Sequence, residues 1–129
     1  MAQHRLEQIL RLIVATVDLL ERDSGPGEDA IREAGINFMV FLPDSILDGV
    51  AQTMQVKGEI EVFQCSREDE GVAMAMGAYL AGKMPVVMME GSGVGLSGLI
   101  LARGVAQHTG TLLLVSHNST LGERFDYHT

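Results

Sequence analysis

Three consecutive acids, Glu68, Asp69 and Glu70, stand between the strand-like run EIEVFQC and a stretch of small apolar residues. The spacing predicts that this cluster occupies the first turn of a helix at a strand-to-helix turn. Carboxylates there have two readings. They match the positive end of the helix macrodipole, or one of them moves protons at a ligand-binding end of a sheet. Gly71, Ala73, Ala75, Gly77, Ala78 and Ala81 give the predicted helix a nearly bare surface. Another backbone or a flat ligand can approach such a surface closely. The expectation is therefore a chemically active carboxylate and a helix that serves as an interface.

Other candidate groups are scattered along the chain. Pro43-Asp44-Ser45 ends an apolar run. Asp44 or Ser45 there either caps the next helix or presents a polar group at the carboxyl end of a parallel strand, where open α/β sheets place ligands. Gly91-Ser92-Gly93-Val94-Gly95 lacks the spacing of a dinucleotide fingerprint and is followed by no P-loop lysine. It reads as close backbone approach at a βα turn, or as a bare turn that admits a ligand or a facing subunit, with Ser92 and Ser97 as donors. His117 follows an apolar strand, as a loop histidine or a site histidine. His108, near a helix end, complements the dipole there. Cys65 reads as a small buried filler, since no histidine is near it in sequence.

Composition narrows the class. At 129 residues the chain is long enough for one domain with a core. A net charge of −8 without a basic run argues against nucleic acid and anionic membranes as partners. An anionic ligand would then need a local positive feature. One cysteine excludes an internal disulfide and a zinc motif, and fits a reducing, cytoplasmic setting.

The elements that must position these groups follow from the apolar pattern. Leu6, Ile9, Leu10, Ile13, Val14, Val17 and Leu20 fall at helical spacing. They predict an amphipathic N-terminal helix over residues 2–22, of unassigned role. Asp18 makes this stretch too short and too charged for a membrane span. Asp23 to Gly27 is a breaker cluster, which divides the chain into residues 1–24 and a domain at 25–129. EDAIREAG reads as a short helix stopped by Gly35. INFMVFL, IEVFQC, VVMME and TLLLVSH read as buried strands, separated by the helices ILDGVAQTM, 68–81 and LSGLILARGVAQ. This alternation predicts an α/β fold: a parallel sheet of four strands with helices on both faces. The chain stops at Thr129 without a closing element, which suggests truncation at the C-terminus.

Three blocks, residues 30–47, 66–95 and 112–123, resemble the pyrimidine-type domain of thiamine diphosphate enzymes. The resemblance is nearest to the sulfopyruvate decarboxylase α subunits and the phosphonopyruvate decarboxylases. It implies the thiamine diphosphate-binding fold and a 2-keto acid decarboxylase, a carboxy-lyase. In that family a glutamate at the start of the corresponding helix hydrogen-bonds a ring nitrogen of the cofactor's aminopyrimidine. The shared proton activates the thiazolium carbon that attacks the 2-keto acid. Members place a Gly-Tyr nine and ten residues after that glutamate. Gly77 lies nine residues after Glu68, and Leu80 and Ala81 also fall on family positions. Ala78 and Tyr79 depart from the pattern. Counting favours Glu68, while Glu70 directly precedes Gly71, as in the phosphonopyruvate enzymes, and stays the rival.

The resemblance further implies that Gly91, Ser92 and Gly93 approach the cofactor. It places Asp44, Ser45 and His117 on the substrate side, toward an anionic 2-keto acid. No GDG motif occurs, although the family binds the cofactor's diphosphate through magnesium with one. A β-type partner subunit must then supply the magnesium site, in a hetero-oligomer whose active site lies between subunits. Helix 71–81 and residues 93–98 are the expected contact surfaces. Two other readings stand beside this one. The first is another enzyme of the superfamily, such as an acetolactate synthase-like one. The second is a non-catalytic α/β module that only assembles or regulates a partner.

Overall fold

The protein is described here by a computed structural model, which covers residues 14–17, 31–44 and 47–116. In chain order the elements are β1 (Val14–Val17), β2 (Phe38–Phe41), α1 (Asp48–Lys57), β3 (Glu61–Gln64), α2 (Glu68–Leu80), β4 (Pro85–Glu90), α3 (Gly91–Leu96), α4 (Gly98–Ala106) and β5 (Leu112–Ser116). The strands form one sheet in the order β1-β5-β4-β2-β3, and every pairing is parallel. This is the α/β architecture that the alternation of buried runs predicts.

Strand β4 lies between β5 and β2, and residues 85–89 are all buried. A strand covered on both faces needs an apolar residue at every position, and Pro85-Val86-Val87-Met88-Met89 supplies one. Alternation along the strands divides the core into two layers. Met39, Phe41, Val86 and Met88 pack with Val50, Ala51 and Met54 of α1. Val87, Met89, Leu113 and Val115 pack with Val72, Ala75 and Met76 of α2, and α4 adds Ile100 and Leu101. Helix α1 therefore covers one face, and α2 and α4 cover the other. Strand β3 is an edge strand with Glu61, Phe63 and Gln64 exposed. The Phe63 ring rests against Phe38, with centroids 5.0 Å apart.

Two glycines end helices as the sequence requires. Gly35 (φ +72°) and Gly58 (φ +65°) take the left-handed conformation that an L side chain disfavours. The Gly58 N–H donates to the Met54 carbonyl at 3.1 Å and closes the last turn of α1.

Two expectations need correction. Residues 14–17 are not part of an amphipathic helix. They form β1, paired with β5 in register from Val14 opposite Leu113 to Val17 opposite Ser116. The sheet therefore has five strands rather than four. Periodicity alone cannot separate a short buried strand from a helix. Ile13-Val14-Ala15-Thr16-Val17 is rich in β-branched residues, which suit a pleated surface, and β5 offers an open edge of backbone donors and acceptors. The remainder of residues 2–22 lies outside the described residues. The second correction concerns Gly91–Leu96, read as a bare turn. It is a short helix, separated from α4 by Ser97. Its glycines are poor helix formers, and one of them is required by packing against α2, as shown below. Among the described residues, no helix is long and apolar enough to cross a membrane.

Candidate active site

The chain order of the strands locates the site. From β2 the chain passes through α1 to β3 on one side of it, then through α2 to β4 on the other. Connections after β2 and β4 thus run in opposite directions. In open α/β sheets, ligands bind outside the carboxyl ends of the strands at such a switch point. The residues gathered there are Leu42-Pro43-Asp44 after β2, Glu90 to Gly93 after β4, and the start of α2, which packs on both strands.

Geometry separates the three acids of α2. Asp69 is engaged by Arg67, whose Nε and Nη2 donate to its two carboxylate oxygens at 3.0 Å each. That hydrogen bond holds the Asp69 carboxyl below its ordinary range. Glu70 accepts the backbone N–H of Ser66, the residue before the N-cap Arg67, at 3.3 Å. These two acids hold the helix start together. Glu68 turns elsewhere. Its side chain lies on the backbone of Gly93: a Cβ placed there would sit 2.3 Å from Cγ of Glu68 and 3.0 Å from its Cδ. Only a glycine leaves room for this approach. Among the described residues no donor hydrogen-bonds the Glu68 carboxylate, and the side chain is half-buried.

The loop after β4 adds polar groups. Ser92 Oγ donates to Glu90 Oε2 at 3.4 Å. Gly91 and Ser92 are half-buried, and Gly93 is buried beneath Glu68. Asp44 is 9% exposed and Ser116 1%. The Ser116 hydroxyl donates to an Asp44 carboxylate oxygen. This bond joins the ends of β2 and β5 past the end of β4, which lies between them. The structure thus brings Glu68, Gly91, Ser92, Gly93 and Asp44 to one end of the sheet and leaves Glu70 in the helix cap. Ser45 and His117 lie outside the described residues.

Sequence reasoning passed over Ser116 and Glu90. Both end strands that are otherwise apolar, and in register they face one another. A polar residue closing a continuous apolar run is the signal that marks them.

Cys65 is buried, and its thiol donates to the Phe41 carbonyl at 3.6 Å. Burial, and then the nearby Glu70 charge, push the thiol's pKa up. This disfavours the thiolate and fits a packing role. His108 is exposed in the turn before β5, at the opposite end of the sheet from the crevice. Beside the start of α2 an open groove of about 510 Å³ is lined by Arg67, Glu70, Ala73, Leu96, Leu99 and Arg103, among others.

No family model matches the chain. Curated relatives do. The α subunit of sulfopyruvate decarboxylase from Methanothermobacter thermautotrophicus is 35% identical over 94 residues, which cover 72% of this chain and 57% of that protein. The subunit of the same name from Methanocaldococcus jannaschii is 30% identical over 97 residues, or 74% and 57%. Among solved structures, a 2-oxoglutarate:ferredoxin oxidoreductase from Magnetococcus marinus matches 75% of this chain and 18% of its own, with a TM-score of 0.63 and 23% identity. That likeness concerns the fold. The chain is thus similar in sequence to sulfopyruvate decarboxylase α subunits and spans a little over half of their length.

Proposed function

We propose that the chain is the pyrimidine-binding part of a thiamine diphosphate-dependent 2-keto acid decarboxylase of the sulfopyruvate type. One observation carries this reading. Glu68, whose carboxylate accepts no hydrogen bond among the described residues, lies on glycine backbone at the switch point of a parallel sheet. The sulfopyruvate decarboxylase relatives support it.

The residues present fit the cofactor. Glu68 lies directly on the Gly93 backbone, and its carboxyl is assigned to share a proton with a ring nitrogen. When bound, thiamine diphosphate supplies the electron sink for the pair released as carbon dioxide leaves. Gly91 and Ser92 border the same space, with Ser92 as a hydrogen-bond donor. Asp44, Ser45 and His117 are assigned to the substrate side, toward an anionic 2-keto acid.

Magnesium and the cofactor's diphosphate are assigned to a β-type partner subunit. Gly77, Gly95 and Gly98 support a contact with such a partner. A Cβ at any of them would meet nothing within 4 Å among the described residues. An unforced glycine in a helix costs about 1 kcal/mol relative to alanine, and the packing among the described residues does not require these glycines. Leu80 (70% exposed) and Leu99 (79%) add apolar surface on α2 and α4. The assembly is placed in the cytoplasm.

Calorimetry tests the assignment. With thiamine diphosphate and magnesium, binding is expected for the chain together with its partner subunit and not for the chain alone. No binding in either case would leave a non-catalytic assembly module as the better description.

A further inference from the structure

We propose that Ser116 is a positioning residue that fixes the Asp44 carboxylate at the mouth of the crevice. The inference rests on the functional reading above and adds a residue to it.

Both partners are buried, at 1% and 9% exposure, at the ends of strands that are not neighbours. They are separated by 72 residues of sequence, so the bond exists only in the folded sheet. Ser116 ends a run of Leu112, Leu113, Leu114 and Val115. An apolar residue at that place would cost nothing in desolvation, whereas a buried hydroxyl is costly unless it is hydrogen-bonded. Its donor goes to a carboxylate, and hydrogen bonds to charged groups are the stronger kind. The backbone at Asp44 is fixed as well, since its carbonyl accepts the Asp48 N–H at 3.0 Å. One carboxylate oxygen is thereby tied to β5 while the main chain is tied to the start of α1. The carboxylate is thus held from β5 and its main chain from the start of α1. A group in contact with a reacting molecule needs such support, because small misplacements cost rate.

The test is a double-mutant cycle in the assembled enzyme, with sulfopyruvate as substrate and thiamine diphosphate binding measured in parallel. Ser116→Ala is expected to lower kcat/KM about 10-fold or more with cofactor affinity unchanged, and Ser116→Thr to restore most of the loss. In the Asp44→Asn background, Ser116→Ala is expected to add little, because residues acting as a unit are not additive. Should the alanine variant not assemble, Ser116→Cys, a weak donor of similar shape, is expected to show the same loss. Full activity of Ser116→Ala, or losses that multiply with those of Asp44→Asn, would overturn the proposal. An inactive wild-type assembly would instead overturn the decarboxylase reading itself.

Discussion

Gly93 carries more of the site than its size suggests. Its missing side chain is the space that the Glu68 side chain occupies, so acid and glycine form one unit although 25 residues separate them. Gly93→Ala would force Glu68 off its present rotamer, since the added carbon would come within 2.3 Å of Cγ. Glu68 Cβ would also lie 3.0 Å from the added carbon, so a new rotamer must be joined by a small shift of α2 from α3, and the expected result is a folded but less stable protein with kcat reduced about 100-fold, the scale of a 1 Å displacement. Circular dichroism and steady-state kinetics on the same preparation check this. The sequence singled out Glu68 by counting from Gly77, with Glu70 as rival. It could not show what separates the two acids: Glu70 meets the Ser66 N–H, while Glu68 meets Gly93. Contacts between distant residues leave no local pattern. The Asp44–Ser116 bond was hidden for the same reason.

Elements were more legible than contacts. Buried parallel strands announce themselves as continuous apolar runs, so β2, β4 and β5 fell close to their predicted places. Strand β1 was misread because a short apolar stretch satisfies helical spacing and strand composition together. Its pairing depends on the open edge of β5, which lies far away in sequence. Helix α2 illustrates how the same small residues serve two purposes. On its buried face, a Cβ at Gly71 would come within 2.9 Å of Cys65 Sγ and 3.3 Å of a Val40 methyl. On its outer face, a Cβ at Gly77 would meet nothing within 4 Å among the described residues. Gly71→Ala is therefore expected to destabilise the chain, because overpacking costs about 1–3 kcal/mol against about 1 kcal/mol gained in helix propensity. Gly77→Ala should stabilise it by about 0.5–1 kcal/mol. Urea midpoints of the two variants read these opposite signs directly.

At the scale of the molecule, a parallel sheet puts every strand's carboxyl end on one side, and the reversal of strand order between β2 and β4 opens a crevice there. The carboxyl end of the sheet carries Asp44 after β2, Glu90 at the end of β4 and Ser116 at the end of β5, and Glu68 lies over Gly93 beside them. The exposed surface of α2, α3 and α4 borders this crevice, so a partner seated on it would close the site. The central claim is that Glu68 shares its proton with the cofactor while Glu70 only caps the helix. Decarboxylation of sulfopyruvate by the assembled enzyme, measured for Glu68→Gln and Glu70→Gln, tests it most directly. The account predicts a loss of about 100-fold or more for Glu68→Gln, the range of acid–base catalysis, and a rate within about 3-fold of wild type for Glu70→Gln, since a cap affects stability before chemistry. Full activity of Glu68→Gln, with the loss falling on Glu70→Gln, would contradict it.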